Sequence, residues 1–406
     1  MKSSVSRRDV LRLLAAPALF ELGAPGRLDA ADHLEAVLPD NPDPHPPARR
    51  TWLSPPDCYF TYPHCNGFLP NGNPVLGQLS GSDKRNLTCL EWDFQTGETR
   101  SLYNTYWVNR YWEVAERSGE LIAMRDRRRI VAVSTVGRPR IDVLAEFNST
   151  PAARIEDLVS VNSAADKVIY AVEQSNNNDF RNIAAAQLLE IDRHSGKSTV
   201  LGDIPFDADH PHYCPADESW IGFSHEGDIS KSLDRIWALN RAVNGGNPQR
   251  MWDEVLPDSG VAYVGHERWA FHKTGCFAVA YPVSPGHPRG LYFVDAATRR
   301  GSLVSASDYD WHCNASRDGV WAVVDTMRPP HRRTESDGRN ISDIVLIHVP
   351  TGRRRWLARS HMDRDHPWHP HPHFSPDGKF VIYNDYQHDG AGQASRTVIV
   401  EVELKA

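Results

Sequence analysis

The sequence predicts an all-β fold, a seven-bladed β-propeller, and three observations support this prediction. A phrase of about 45 residues recurs along the chain. Short apolar runs within the phrase are joined by Asp-Gly, Asn-Gly or Thr-Gly turns, which is the pattern of antiparallel strands. Capped helical patterns are scarce, so the helices of an α/β fold are missing, and about seven units of four strands are too many for a sandwich.

The repeat defines the extent of the predicted domain. Its clearest copies contain the segments GFLPNGNPVLGQ, HYCPADESWIGFSHEG, HERWAFHKTGCFAVAYPV, HCNASRDGVWAVVDTM and HPHFSPDGKFVIYND. Weaker copies occupy residues 104–150 and 155–205. We therefore assign residues 57–406 to one propeller domain, in which the first strand of every unit lines a central channel.

The residues before the repeat resemble an export signal followed by a linker. Ser6-Arg7-Arg8-Asp9-Val10-Leu11 and the modest apolar stretch after it are typical of twin-arginine export, so we expect residues 1–30 to be a signal peptide. Residues 31–56 are rich in Pro and Asp and are interpreted as a linker. This predicts a periplasmic or secreted protein. A cytoplasmic protein with an amphipathic N-terminal helix stays open as the alternative.

Composition restricts the partners that the chain is expected to have. The 406 residues carry a formal net charge of −7 and only short basic runs, which gives no support for nucleic-acid binding. No stretch reaches the roughly 18–20 apolar residues of a membrane span. The six cysteines form no CxxC pair, so zinc-finger spacing is absent. Cys58 and Cys65 could form a disulfide in an oxidising compartment, or could be buried thiols. The oligomeric state is not predicted.

Histidines recur at one phase of the repeat, just before the first strand of a unit. Residues at this phase converge on one mouth of a propeller channel although they are distant in sequence. The histidines at this phase are His64 before the first unit, His210 and His212 before the fourth, His266 before the fifth, His312 before the sixth, and His366, His369 and His371 before the seventh.

Clustered imidazoles at a channel mouth indicate a metal site. Neutral imidazole is the commonest ligand for divalent transition metals. His369 and His371 lie two residues apart, on the same side of an extended chain, with a proline between them that restricts the backbone. With His312 they could fill three metal positions, and His366 could fill a fourth. The alternative is a set of surface histidines that cap turns. His373 is interpreted as a packing residue.

Taken in order, the motifs HPHYCP, FSHEG, RIW, GHERW and HPHPHFSPDG resemble the oligogalacturonate lyase family over about residues 205–405. Members of this family are seven-bladed propellers that use a divalent metal, typically manganese. The resemblance implies metal binding by His312, His369 and His371, with His366 where the family has a glutamine. Mn²⁺ is the expected metal, and Ca²⁺ or another divalent ion stays open.

The resemblance also implies a β-elimination on a uronic-acid oligosaccharide. It assigns the base that removes the C5 proton to His266 and the partner of the substrate carboxylate to Arg235. Glu267 is expected on the opposite side of the strand from His266 and is interpreted as structural. For His225 and Glu226 a strand-end turn and a substrate contact both stay open. Further candidates for substrate contact, which could equally be core residues, are His210, His212, Tyr263 and Trp311.

Two other functions stay open. The divergent first half could build a pocket for another uronate polymer, such as ulvan or a glycosaminoglycan. A non-catalytic propeller of the TolB type would explain the SPDG turn equally well, but it would not explain why histidines favour one phase of the repeat.

Overall fold

The computed structural model consists of seven four-stranded antiparallel sheets, which confirms the predicted seven-bladed β-propeller. The structure describes residues 50–80, 86–106, 110–126, 128–147, 153–175, 183–226, 234–243, 246–327, 340–362, 367–388 and 393–404. The predicted export signal, residues 1–30, lies outside these residues. Among the described residues, no helix has the length and apolar character needed to cross a membrane.

The first four blades follow the repeat in chain order. Blade 1 contains β2 (Cys58–Phe60), β3 (Val75–Ser80), β4 (Asn86–Trp92) and β5 (Thr99–Tyr106). Blade 2 contains β6 (Trp112–Val114), β7 (Leu121–Arg125), β8 (Arg129–Val133) and β9 (Ile141–Glu146). Blade 3 contains β10 (Ala153–Val161), β11 (Lys167–Ser175), β12 (Ile183–Asp192) and β13 (Lys197–Ile204). Blade 4 contains β14 (Asp209–Tyr213), β15 (Trp220–Ser224), β16 (Ile236–Asn240) and β17 (Gln249–Arg250).

The last three blades complete the ring. Blade 5 contains β18 (Val264–Trp269), β19 (Gly275–Ala280), β20 (Gly290–Asp295) and β21 (Arg300–Ala306). Blade 6 contains β22 (Asp310–Ala315), β23 (Trp321–Thr326), β24 (Asn340–His348) and β25 (Arg353–Met362). Blade 7 contains β26 (His373–Phe374), β27 (Phe380–His388), β28 (Gln393–Glu401) and, as its outermost strand, β1 (Thr51–Leu53).

The ring is closed by a strand from the opposite end of the chain. Thr51–Leu53 pairs antiparallel with β28, with Trp52 opposite Ile399. Ser54 continues the contact, since its amide donates to the carbonyl of Thr397. The structure therefore places residues 51–53, part of the stretch interpreted as a linker, inside the propeller. A three-residue edge strand is too short to be read from an alternating pattern.

The first strand of each blade lies nearest the axis. β18 contacts β22, and β10 contacts β14, across neighbouring blades. All six residues of β18 and of β22 are buried, whereas much of the outer strand β13 is exposed. Apolar side chains from adjacent sheets interdigitate between the blades, as Phe277 and Tyr281 of blade 5 do with residues of blade 6. The inner strands β18 and β22 are thus buried on both faces.

The six cysteines are all buried and unpaired. A Cys58–Cys65 disulfide, one of the two possibilities that the sequence leaves open, is therefore absent from the structure. Burial raises the pKa of the Cys58 thiol to about 12, so this group is a neutral core residue at physiological pH.

Closure depends on Trp52, whose indole packs edge-on against Phe94 of the neighbouring blade at 5.2 Å and against Phe380 at 5.7 Å between ring centroids. We expect Trp52→Ala to lower the free energy of unfolding by about 2–3 kcal/mol, since a half-buried aromatic side chain is lost at the seam. Trp52→Phe should retain most of the stability. Urea unfolding of both variants measures the difference. Equal unfolding midpoints for Trp52→Ala and the unaltered protein would show that the seam is held elsewhere.

Candidate metal centre and adjoining pocket

The inner strands are irregular where their histidines occur. Strand pairing shifts between Asp209 and His212 in β14, between Val264 and His266 in β18, and between Asp310 and Cys313 in β22. A bulge adds one residue to a strand and changes the direction of its side chains. The histidines predicted to precede the first strands of blades 4 to 6 therefore lie within those strands, at bulges. His64 follows β2, and His369 and His371 precede β26.

Blades 4 and 7 share an unusual backbone conformation at a histidine. His210 and His371 both have left-handed backbone conformations, with φ of 54° and 46°. Each is followed by a proline, and the carbonyl of each accepts a hydrogen bond from the Nδ1 of the histidine two residues later, at 2.5 Å from His212 and 2.8 Å from His373. Such conformations are unfavourable for residues other than glycine, and they cluster at functional sites.

Three histidines from blades 6 and 7 form what we call the tri-histidine cluster, His312, His369 and His371. Each offers a ring nitrogen within 4.8 Å of the other two, and all three side chains are buried. The ring centroids of His312 and His371 are 4.4 Å apart, and those of His312 and His369 are 5.5 Å apart. The structure thus brings together three of the four predicted metal ligands. His366, the fourth, lies outside the described residues.

Asp325, at the end of β23, orients this cluster, and sequence reasoning did not single it out. Its carboxylate lies 2.8 Å from Nδ1 of His312 and accepts hydrogen bonds from the amides of His312 and His371. The Nδ1 hydrogen of His312 therefore points at the carboxylate, and Nε2 keeps its lone pair for a metal. The only sequence signal was a polar residue in the apolar run WAVVDTM.

Two neighbours fix His369. Asn384 of β27 donates from its side-chain amide to the carbonyl of His369 at 3.1 Å, and its backbone amide donates to Pro370. Trp311, a candidate for substrate contact, packs its ring against His312 and His369 with centroids 4.4 and 4.3 Å away. Trp311 is 9% exposed, so it is a buried residue that packs against two imidazoles of the tri-histidine cluster.

A second group of polar residues, which we call the arginine–carboxylate cluster, joins blades 4 and 5. It consists of Arg235, Glu226 and Glu267. Arg235 is 3% exposed, its Nε donates to Glu267 at 3.1 Å, and its Nη2 donates to Glu226. Within the described part of the chain, Nη1 of Arg235 has no hydrogen bond. Two carboxylates thus balance the charge of one guanidinium and fix its position, and Nη1 stays available to donate to a further acceptor.

Glu267 has more than the structural role predicted for it. Its Oε1 accepts a hydrogen bond from Ser224 and lies 3.5 Å from both His64 Nε2 and His210 Nδ1. Burial alone would raise the pKa of Glu267, but the charge of Arg235 and the neighbouring His210 and His64 imidazoles hold that pKa well below its usual range. The expected alternation is present, since Glu267 faces blade 4 while His266 faces blade 6. Polar clusters lie on both sides of β18, so the alternation of side chains could not show which of the two residues is structural.

His266, the predicted base, is fully buried and faces blade 6. Its Nε2 lies 3.1 Å from the carbonyl of Cys313. A carbonyl can only accept, so Nε2 carries the hydrogen, and Nδ1, which has no partner among the described residues, carries the lone pair. Burial, assisted by nearby His64 and His312, holds the pKa of His266 well below its usual value. The imidazole is therefore neutral at neutral pH.

Tyr62 connects the two clusters, and sequence reasoning missed it as well. Its ring lies 4.8 Å from both His210 and His371 and 5.8 Å from His266, measured between centroids. Burial raises the pKa of its phenol well above the ordinary value, so the hydroxyl stays protonated. Its position two residues before His64, in the loop after β2, was the only available signal.

The remaining candidates are less central. His210 lies beside Glu267, and although burial opposes it, Asp209 and Glu267 raise the pKa of this imidazole. His212 is deeper in the channel, 6.2 Å from the Trp269 ring between centroids, and lies outside both clusters. Tyr263 is half-buried just before β18, where its backbone bonds to Ser284 and Tyr281. His225 forms a 2.9 Å pair with Asp234.

Comparison with known sequences gives one consistent family. A family model described as oligogalacturonate lyase matches residues 171–399, more than half of the chain. An oligogalacturonate lyase of Dickeya dadantii (strain 3937) is 24% identical over 206 residues, which is 48% of this chain and 51% of that protein. An oligogalacturonide lyase of Pectobacterium atrosepticum is 24% identical over 207 residues, with the same coverage. The chain spans about half the length of the curated relatives it matches.

Solved structures extend the likeness over most of the chain. An oligogalacturonate lyase in complex with manganese superposes with a TM-score of 0.70 at 19% identity, covering 86% of this chain and 91% of that one. An oligogalacturonate lyase from Vibrio parahaemolyticus gives a TM-score of 0.69 at 16% identity, covering 88% and 97%. At these identities the likeness shows a shared fold.

The position of Asp325 leads to a specific prediction. We expect Asp325→Asn to weaken the binding of a divalent metal by roughly 10–100-fold, because the amide no longer fixes the tautomer and orientation of His312. Equilibrium dialysis against Mn²⁺ measures the affinity. Asp318→Asn, in the turn that follows β22 of the same blade, is the matched control and should leave the affinity unchanged. Equal affinities for both variants would remove Asp325 from the metal centre.

Proposed function

The chain belongs to the oligogalacturonate lyase family, and we propose that it is a metal-dependent lyase that cleaves 4-linked uronic-acid oligosaccharides by β-elimination. The observation that supports this proposal is the arrangement of side chains at one mouth of the channel. The tri-histidine cluster, the neutral buried His266 and Arg235, which two carboxylates hold in place, all lie there. The substrate class is the one named in the descriptions of the two curated relatives.

The tri-histidine cluster fits a divalent transition metal. His312 is held with Nε2 available, and the rings of His369 and His371 lie close enough for all three to share one ion. We propose Mn²⁺, as in the related structure solved with manganese. We further propose His366 as a fourth ligand, an assignment that rests on the sequence alone. When bound, a divalent cation supplies Lewis-acid stabilisation of charge that develops on a carboxylate.

His266 is proposed to take the C5 proton at Nδ1. The carbonyl of Cys313 fixes Nε2 as the protonated nitrogen, so the imidazole is held in the tautomer whose Nδ1 is basic. A neutral imidazole can accept a proton near neutral pH, which is what a general base must do. Burial of His266 also excludes water, which would compete for the lone pair.

Arg235 is proposed to donate from Nη1 to the carboxylate of the sugar. Glu226 and Glu267 hold the guanidinium plane in place. They also balance its charge, so that Arg235 acts through directed hydrogen bonds, which strengthen as charge grows on the sugar carboxylate. The 4-linked oxygen then leaves, protonated by water or by the proton that His266 has taken, and a 4,5-unsaturated sugar is formed.

The cell compartment is also part of the proposal. We propose export by the twin-arginine route to the periplasm or beyond, based on Ser6-Arg7-Arg8-Asp9-Val10-Leu11. Buried free thiols are compatible with that route, which transports folded proteins.

The metal centre is tested first. We expect His369→Ala and His371→Ala each to abolish stoichiometric Mn²⁺ binding, because two imidazoles cannot hold the ion as three do. The rise in ultraviolet absorbance of the conjugated product from oligogalacturonates should disappear with it. Metal analysis and an absorbance assay measure the two effects, with His348→Ala on the surface of blade 6 as the control. Metal binding without product on oligogalacturonates would direct the search to another uronate polymer. Full activity without metal would refute the proposed reaction.

The base is tested separately. We expect His266→Gln to lower kcat by roughly 10²–10⁴-fold, the usual contribution of a general base. Mn²⁺ content should stay at the level of the unaltered protein, since His266 is outside the tri-histidine cluster. Steady-state kinetics with metal analysis of the same sample distinguishes the two effects. A kcat within a factor of about three of the unaltered enzyme would assign proton removal to another residue.

A further inference from the structure

A cavity of about 330 Å³ opens at the mouth of the channel opposite the tri-histidine cluster. We call it the far cavity. It is lined by the last residues of four inner strands, Val161, Tyr213, Ala315 and Phe374. Ala315 is three residues beyond His312 on β22, which is roughly 10 Å at about 3.3 Å per residue. The far cavity is therefore separate from the tri-histidine cluster, although His64, which lies 3.5 Å from Glu267, is one of its lining residues.

Arg268 of β18 lines the far cavity and has no ion-pair partner among the residues that the structure describes. It is 5% exposed, its Nε is buried without a hydrogen-bond partner, and the described part of the chain gives its guanidinium neither a hydrogen bond nor an ion pair. The guanidinium lies over the ring of Phe271, with 4.9 Å between the guanidinium carbon and the ring centroid. An unpaired buried charge is strongly unfavourable, so this arrangement favours occupancy by an anion.

The acidic residues around the far cavity do not supply that anion. Burial raises the pKa of Glu113 to about 8, although a hydrogen bond from the Val161 amide and the charge of Arg268 oppose this, so the carboxyl is largely protonated at neutral pH. Glu116 pairs with Arg317. Glu218 accepts the backbone amide of Ser163 at 2.6 Å. Among the described residues, none of these three carboxyl groups forms an ion pair with Arg268.

We propose that the far cavity binds a small monocarboxylate of sugar-acid size through Arg268. The planar guanidinium matches a carboxylate in a two-pronged hydrogen bond. A single arginine that has no ion-pair partner among the described residues, with several acidic side chains nearby, favours a singly charged ligand over sulfate or phosphate. The volume of about 330 Å³ lies at the lower end of ordinary small-molecule sites, which suits one sugar ring and not a polymer. Phe271 supplies an apolar wall beside the charge.

The test uses the full chain after chelation of metal, so that it does not depend on lyase activity. Galacturonate is titrated calorimetrically into the unaltered protein and into Arg268→Gln, Arg268→Lys and the control Arg300→Gln, an exposed residue of the outer strand of the same blade, with galactose and sulfate as comparison ligands. We expect galacturonate to bind the unaltered protein, galactose not to bind, and Arg268→Gln to weaken binding by at least about tenfold through loss of a charge-assisted pair. Arg268→Lys should be intermediate, and Arg300→Gln should resemble the unaltered protein.

A second arm separates this site from the proposed active site. Binding should persist in His369→Ala, where lyase activity is expected to be lost, so failure of one proposal leaves the other testable. The unfolding midpoint of each variant is measured first, and Arg268→Lys carries the test if Arg268→Gln does not fold. Absence of galacturonate binding, insensitivity of binding to Arg268, loss of binding in His369→Ala, or tighter binding of sulfate than of galacturonate would each overturn the proposal.

Discussion

Closure of the ring is the constraint on which the rest of the structure depends. Seven sheets enclose a narrow channel only when β1 pairs with β28 and fixes blade 7 beside blade 1. The channel is then so narrow that a loop of blade 1 reaches blades 4, 5 and 7. Tyr62 and His64 demonstrate this, since their rings contact His210, His266 and His371 although these residues lie about 150 to 310 positions away. No single blade contains the site, so the site exists only in the closed ring.

Crowding at the axis explains the chemical character of the two clusters. Fully buried imidazoles lose solvation in their charged form, so burial drives the pKa values of His64 and His266 down and keeps both rings neutral. Neutral rings can bind metal or accept protons. Beside them, Arg235 and Glu267 stay charged only because each neutralises the other. The same burial thus produces an uncharged side of imidazoles, where we propose metal binding, and a charged side of arginine and carboxylates, where we propose binding of the sugar carboxylate. The strand that carries His266 and Glu267 lies between them.

The sequence predicted the features that repeat and missed those that depend on contacts across strands. The number of blades and the histidine phase follow from a periodic pattern, and the structure places His312, His369 and His371 together as expected. Asp325 could not be found this way, because its role depends on register with His312 on a neighbouring strand. The left-handed conformations of His210 and His371 also leave no mark in the sequence beyond the proline that follows each. β1 was not predicted because three residues are too few to show an alternating pattern of apolar and polar side chains.

The two mouths of the channel differ in how their charges are balanced, and this difference follows from the direction of the inner strands. Bulges at the beginning of β14, β18 and β22 turn polar side chains towards one mouth, where carboxylates, imidazoles and one arginine satisfy one another. Beyond the bulges the strands are regular, and β18 places Arg268 two residues after His266, next to the opposite mouth. Glu113, an acidic residue of the inner strand β6 that also lines the far cavity, is too deeply buried to ionise fully at neutral pH. On β18, the carboxylate of Glu267 is therefore neutralised within the fold by Arg235. The next residue, Arg268, is a cation without a partner among the described residues, so its partner must come from outside them.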